Sequence, residues 1–120
     1  MDSAVNTTIE RFLYGKERET VERRKAYKES SLPHSFEYKI RQAFIGEKCP
    51  ICGVIMGYGE FGTTLCFPSI QHNIPISKGG KHELHNISVI CKRCNVSIKD
   101  NITPELNSRE VAKVWQRLNG

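Results

Sequence analysis

Apolar residues recur at helical spacing in two segments of the chain. In the first segment they lie four residues apart, at Phe36, Ile40 and Phe44. This spacing predicts a short helix that ends near Ala43. We expect Ser35 to cap it, because a serine hydroxyl can accept a hydrogen bond from the first helical turn.

The second segment with helical spacing lies near the C terminus. Its apolar residues occupy positions i, i+3, i+4 and i+7, at Val111, Val114, Trp115 and Leu118. Ser108 precedes them and is the expected N-cap. One face of this last helix should therefore pack on the rest of the domain.

Between these helices the pattern changes from helical spacing to β-branched residues. Residues 87–90 alternate and predict a strand. Residues 67–76 are strand-like, but Pro68 and Pro75 restrict them to a short or edge strand. A further helix is expected to run from residue 91 to about residue 99.

The first 34 residues are predominantly polar and carry many charges. Residues 16–28 hold six basic and three acidic side chains, which is typical of a solvated helix. We therefore divide the chain into a basic helical arm, residues 1–34, and a second unit, residues 35–120. An alternative for the arm is that its basic side chains neutralise DNA phosphates, namely Arg18, Arg23, Arg24 and Lys28.

Composition limits the class of protein without identifying a partner. The 120 residues fit one domain, and the net charge of +5 permits an anionic partner without requiring one. No apolar run approaches the roughly 18 residues of a membrane span, and the first residues lack the apolar core of a signal peptide. We therefore expect a cytoplasmic protein with no membrane partner.

Four of the five cysteines form two pairs with the spacing of metal ligands. The pairs are Cys49 with Cys52 and Cys91 with Cys94. Two CxxC turns can supply four thiolates to one tetrahedral ion, which predicts a closed structural zinc site. The alternatives are four reduced core cysteines or two disulfides, and a reducing compartment disfavours the disulfides. Cys66 is left over, and we expect it to be a buried small residue.

The segment between the cysteine pairs carries an ordered set of polar residues. It contains Gln71-His72-Asn73-Ile74-Pro75-Ile76-Ser77-Lys78-Gly79-Gly80, then Asn86 before the strand, then Asn95 and Lys99 after the last cysteine. Over residues 49–99 this order resembles the HNH endonuclease family, whose pattern is roughly D-H-x-x-P-x-S-x-G-G … N-L … C-x-x-C-N. The resemblance implies an α+β fold with a ββα-metal core, stapled by the four-cysteine zinc site and flanked by N- and C-terminal helices.

The resemblance also implies an activity and residues that carry it. A family member hydrolyses DNA phosphodiester bonds with one divalent cation, Mg²⁺ or Mn²⁺, and leaves 5′-phosphate and 3′-hydroxyl ends. His72 would be the general base, which suits an imidazole that is neutral at pH 7. Asn95 would bind the cation through its amide oxygen, and Asn86 would brace the loop that carries the base. Phosphate contacts are expected from Lys78, Lys81 and Lys99, with Arg23 and Arg24 of the arm.

One position departs from the family pattern. Gln71 stands where the family has an aspartate that binds the cation. Three consequences remain open: weaker cation binding with activity retained, a carboxylate supplied by Glu83 or Asp100, or a catalytically impaired protein. The two remaining histidines, His82 and His85, are expected to lie mostly on the surface.

Two classes of protein compete with the enzyme. One is a zinc module that binds DNA without cutting it, and the other is a zinc ribbon that binds a protein partner. If the protein is an enzyme, one protomer offers one active site, so a double-strand break needs a homodimer or two visits. Small members of this kind occur in phages and bacteria, which favours a restriction, packaging or mobile-element role by analogy.

Overall fold

The computed structural model describes residues 21–58 and 64–119. The predictions for residues 1–20, including a possible DNA contact by Arg18, lie outside the described residues. Residues 21–28 are helical and are called α1. The other elements are α2 (Phe36–Ala43), β1 (Pro68–His72), β2 (Ile87–Cys91), α3 (Lys92–Ile98) and α4 (Ser108–Asn119), with short 3-10 helices at Ile76–Lys78 and Leu84–Asn86.

The two strands pair antiparallel and form a two-stranded sheet. Their register runs from Pro68 opposite Cys91 to His72 opposite Ile87. Four residue steps along a strand span about 13 Å. The pairing therefore places a cysteine at one end of the hairpin and the candidate catalytic histidine at the other.

The core lies between the strands and two of the helices. The predicted positions of α2 are buried at Phe36, Ile40 and Phe44, and the ring of Phe36 meets that of Trp115 edge to face at 5.0 Å. Every residue of β2 is buried, as expected for a strand covered on both faces. Both helices predicted from apolar spacing are thus confirmed, except that Leu118 in the last turn of α4 is 47% exposed.

The predicted side-chain caps of both helices are wrong. Ser35 occupies the position before α2 but makes no capping hydrogen bond through its side chain. Ser108 is the first residue of α4, and its hydroxyl is buried and accepts a hydrogen bond from Asn73 Nδ2. The Glu105 carboxylate accepts from the Arg109 backbone N–H in the first turn of α4 instead. Tertiary contacts therefore override the local capping preference of serine.

The α+β prediction is confirmed. Strands β1 and β2 lead directly into α3, which gives a ββα unit, and α2 and α4 pack against it. The strand-like segment that begins at residue 67 ends as a strand at His72, before Pro75. The proposed boundary after residue 34 stays a prediction.

Candidate active site and metal centre

The four paired cysteines converge at one end of the hairpin. Their sulfur atoms all lie within 4.8 Å of one another, and the Sγ atoms of Cys52 and Cys91 are 3.7 Å apart. Ligands at about 2.3 Å from a tetrahedral zinc ion are separated by about 3.8 Å, so the cluster fits zinc. Among residues 21–58 and 64–119, no other group of three or more cysteine, histidine or acidic side chains is so close.

Local backbone geometry shapes the first cysteine pair. Gly53 has a φ of 78°, and its N–H donates to the Cys49 carbonyl at 2.8 Å. The Cys49 N–H donates in turn to the Val54 carbonyl at 2.8 Å, which closes the turn. Glycine is required at residue 53 because other side chains rarely adopt a positive φ.

The surroundings of the sulfurs shift the pKa values of three of the thiols in different directions. A backbone hydrogen bond from Val54 lowers the pKa of Cys52 to about 7. Burial raises the pKa of Cys91 and of Cys94. A bound cation offsets this cost of burial, because a coordinating thiol is deprotonated outright. Cys66 is only half-buried and lies outside the cluster, so it does not belong to the metal centre.

A cleft at the other end of the hairpin collects most of the predicted catalytic residues. Gln71 and His72 reach it from the end of β1, Asn95 from α3, and Lys99 from the residue after α3. Arg23 of α1 lines the same cleft. Residues separated by more than 70 positions in the sequence therefore meet around one open space.

The two carboxamides in the cleft differ in their hydrogen bonds. Asn95 donates through Nδ2 to Ser69 Oγ and to the Ile70 carbonyl, both at 2.9 Å, and no described residue donates to its oxygen Oδ1. The described residues supply no partner to the Gln71 side chain, which is 4% exposed and lines the cleft.

His72 is buried and lies against a second histidine. Its side chain is 7% exposed, and its Nε2 is 3.0 Å from His82 Nδ1. Burial, together with the charges of His82 and Arg23, lowers the pKa of His72 to about 3. The imidazole is therefore neutral at pH 7, the form that can accept a proton.

The expectation that His82 lies on the surface is wrong, since it is 2% exposed. Its ring stacks on Tyr27 of α1 with centroids 3.7 Å apart, and Phe36 of α2 meets it edge to face at 5.9 Å. The hydroxyl of Ser30 donates to its carbonyl. No sequence pattern marks this burial, because the three partners come from distant parts of the chain. His85 is exposed, as expected.

The arm does not behave as a purely solvated helix over its described residues. Tyr27 is half-buried against His82, and burial raises the pKa of its hydroxyl well above the ordinary value. Arg23 donates to this hydroxyl at 3.4 Å. The helix α1 thus contacts the candidate site through the Tyr27 ring, which stacks on His82.

Asn86 joins the two ends of the loop that follows His72. Its Oδ1 accepts from the Ile74 N–H at 2.8 Å, and its Nδ2 donates to the carbonyls of Ile74 and Lys81 at 3.0 and 2.9 Å. Gly80 must be glycine here, because a Cβ would lie 1.7 Å from the Ile74 carbonyl oxygen. The bracing role of Asn86 stays a prediction, and these hydrogen bonds are the contacts it would use.

Most of the other predicted phosphate contacts and carboxylates lie outside the cleft. Lys78, Lys81 and Arg24 are exposed but do not line it. Of the two carboxylates considered as substitutes, Asp100 lines the cleft, whereas Glu83 accepts a hydrogen bond from the Ser31 hydroxyl at 2.8 Å elsewhere. Glu22 of α1 also lines the cleft, and sequence reasoning missed it.

A buried polar network behind His72 was also missed. Ser88 donates to Asn73 Oδ1 at 2.8 Å, and Asn73 Nδ2 donates to Ser108 Oγ at 3.0 Å. Asn107 forms two hydrogen bonds with the backbone of Val89 on β2, at 2.8 and 2.9 Å. These bonds tie the start of α4 to the strands and support the end of β1.

No helix of the described residues is sufficiently long and apolar to span a bilayer. A family model described as HNH endonuclease matches residues 49–110, which is more than half of the chain. No curated protein and no solved structure matches the chain significantly.

Proposed function

Since the chain belongs to the HNH endonuclease family, we propose that it hydrolyses DNA phosphodiester bonds. One observation carries the proposal. The buried, neutral imidazole of His72 and the carboxamides of Gln71 and Asn95 line one open cleft. Such a cleft offers a proton acceptor beside oxygen atoms that can bind a cation, and hydrolysis of a phosphodiester uses both a base and a cation.

His72 would act as the general base. It takes a proton from water, the hydroxide oxygen bonds to phosphorus, and the bond from phosphorus to the 3′ oxygen breaks. The 3′ oxygen then takes a proton from solvent, so the products carry a 5′-phosphate and a 3′-hydroxyl. General base catalysis of this kind contributes roughly 10²- to 10⁴-fold to the rate.

Gln71 and Asn95 are the residues that would hold Mg²⁺ or Mn²⁺. Amide oxygens are hard donors that suit either ion. When bound, the cation supplies positive charge to the phosphate and to the departing oxygen. Because Gln71 carries no charge, we expect the protein to need more cation than a site with an aspartate there.

DNA would approach across the basic side chains around the cleft. Arg23 and Lys99 line the cleft itself. Lys78, Lys81 and Arg24 are exposed, and each is close in the sequence to a residue that lines the cleft. Contacts with phosphate position DNA without reading its sequence, and they weaken as salt rises. One protomer would cut one strand, and a homodimer would cut both. The setting we propose is the cytoplasm of a bacterial or phage-infected cell.

A plasmid assay tests the proposal. Supercoiled plasmid should be nicked or linearised by the full chain on addition of Mn²⁺ or Mg²⁺, and His72→Ala should abolish the cutting. His85→Ala is the matched control, because His85 is exposed and does not line the cleft. A wild-type protein that never cuts under either cation would refute the enzyme.

The charge at residue 71 favours a second candidate function. Without a carboxylate there, the protein could bind DNA at the cleft and fail to cut it. A band shift at low salt with no product under either cation would support that function. A protein that neither shifts nor cuts DNA would point instead to a protein partner.

A further inference from the structure

We infer that His82 is a positioning residue for His72. By accepting a hydrogen bond from the Nε2–H of His72 at its own Nδ1, it holds the His72 imidazole in the tautomer whose Nδ1 carries the lone pair. The inference deepens the proposed function, because it rests on His72 as the general base. It assigns a role to a histidine that the family pattern does not include.

The distance between the two rings shows a hydrogen bond. His72 Nε2 and His82 Nδ1 are 3.0 Å apart, with the ring planes inclined at 57°. Both side chains are buried, so no bulk water competes for these nitrogens. Two neutral imidazoles can share one proton here, and one ring must donate while the other accepts.

Which ring donates decides whether His72 can act as a base. If His82 donated, the lone pair of His72 would be used at Nε2 and its Nδ1 would carry the proton. If His72 donates, its Nδ1 has the lone pair. The described residues supply no partner to Nδ1, and His72 lines the cleft, so Nδ1 is the nitrogen left to accept a proton from water there. Only the second arrangement places a proton acceptor there.

His82 is itself held by three residues of the segment 27–36, which is distant from it in the sequence. Tyr27 stacks on one face at 3.7 Å, Phe36 contacts the ring edge to face, and the Ser30 hydroxyl binds the backbone carbonyl. A ring packed in this way loses little further freedom when it binds its partner. Burial also lowers the pKa of His82, which keeps the ring neutral and able to accept a hydrogen bond.

The tautomer can be observed directly by NMR, without any cleavage. The probe is the zinc-loaded full chain labelled with ¹⁵N histidine, with assignments made by single substitutions. We expect His72 and His82 each to be protonated at Nε2, with a scalar coupling across the hydrogen bond between His72 Nε2 and His82 Nδ1. A His72 protonated at Nδ1 would overturn the inference.

Two substitutions test the consequence for catalysis. His82→Phe keeps an aromatic ring beside Tyr27 but removes the acceptor, and His82→Gln keeps an acceptor. We expect His82→Phe to lower kcat for plasmid nicking by about 10- to 100-fold, a range seen when partners that orient a histidine are removed. KM should change less than about twofold, and His82→Gln should recover part of kcat.

The control is His85→Phe, and circular dichroism melting checks the fold of each variant. A folded His82→Phe that cuts like the wild type would contradict the inference. A variant whose kcat is unchanged and whose KM alone is altered would contradict it as well. If His82→Phe fails to fold, the wild-type NMR result and His82→Gln still decide the question. If the wild type never cuts, the proposed function fails. The NMR measurement of the His72 tautomer still tests the hydrogen bond to His82 separately.

Discussion

The two ends of the β1–β2 hairpin are built in different ways. At the cysteine end, two cysteines come from one turn and two from the junction of β2 with α3, and their sulfurs lie within 4.8 Å of one another. At the histidine end, residues of α1, β1 and α3, and Lys99 just after α3, line the cleft. The buried pair of histidines also contacts α2, through Phe36. The cysteine end joins two CxxC pairs that are each local in the sequence, whereas the histidine end collects single residues from several elements.

This difference implies a division of labour. Binding of structural zinc to zinc-finger peptides contributes about 10–16 kcal/mol of folding free energy, whereas one hydrogen bond contributes about 1 kcal/mol. Damage at the cysteine end should therefore appear first as lost stability. Damage at the histidine end should appear mainly as lost turnover.

Cys94→Ser should have the largest effect on stability. It removes a buried ligand from the cluster, and we expect the free energy of unfolding to fall by at least about 3 kcal/mol. Urea denaturation of the zinc-loaded protein measures this fall. Cys66→Ser is the matched control, since Cys66 is half-buried and lies outside the cluster. Equal stability of the two variants would refute the zinc staple.

Gly80→Ala should damage the histidine end next most strongly. The new Cβ would lie 1.7 Å from the Ile74 carbonyl oxygen and 2.9 Å from Asn86 Nδ2. The loop after His72 must then shift, at a cost of about 2–3 kcal/mol, and plasmid cutting should fall more than zinc content.

Gly57→Ala is the control for this variant, because its Cβ would meet only Ile45 Cγ2 at 3.7 Å, an ordinary contact. Measuring cutting and bound zinc on the same samples separates the two ends. A Gly80→Ala protein that lost zinc in proportion to activity would contradict the division.

The pH dependence of stability tests the burial of His72. Its pKa is lowered to about 3 by burial, so the folded chain does not bind a proton there at mildly acidic pH, whereas the unfolded chain does so below about 6.5. Stability is therefore lost as pH falls from about 6.5 towards 3. From about pH 7.5 to about pH 5.5, the wild type should lose about 1.4 kcal/mol more than His72→Asn.

Urea denaturation at several pH values measures this difference. The cysteine cluster is common to both proteins, so its own pH dependence cancels in the comparison. Parallel curves for the two proteins would show that His72 is accessible to protons in the folded state.

Gln71→Asp should have the smallest effect, and it should strengthen cation binding at the histidine end. A carboxylate adds a negative charge beside the cation, so the Mg²⁺ concentration for half-maximal cutting should fall by about three- to tenfold. A metal titration of plasmid nicking measures it. Gln42→Asp, on the exposed side of α2, should leave the titration unchanged. No change, or a loss, in Gln71→Asp would place residue 71 outside the cation site.

Several features of the fold and site could be predicted because their signals are local. The apolar spacing of Phe36, Ile40 and Phe44 defines one buried face, and a helix needs only that period to be recognised. The ordered residues from Gln71 to Lys99 indicated the α+β class, and four of them line one cleft, namely Gln71, His72, Asn95 and Lys99.

Other features could not be predicted, because they depend on partners that only the folded chain brings together. The Ser108 hydroxyl caps no helix, since Asn73 and Ser88 reach it across 35 and 20 residues. In the same way, nothing near His82 in the sequence marks it as buried, because its burial comes from Tyr27 and Phe36.

The amino-acid sequence alone determined the four cysteines of the metal-binding cluster and the family, because CxxC spacing and an ordered motif are properties of neighbouring residues. The tertiary structure decided which nitrogen of His72 lies against His82, which groups the Asn95 amide nitrogen binds, and that Tyr27 of α1 stacks on His82. Burial and hydrogen-bond partners are set where separate surfaces meet, and no local pattern encodes that meeting.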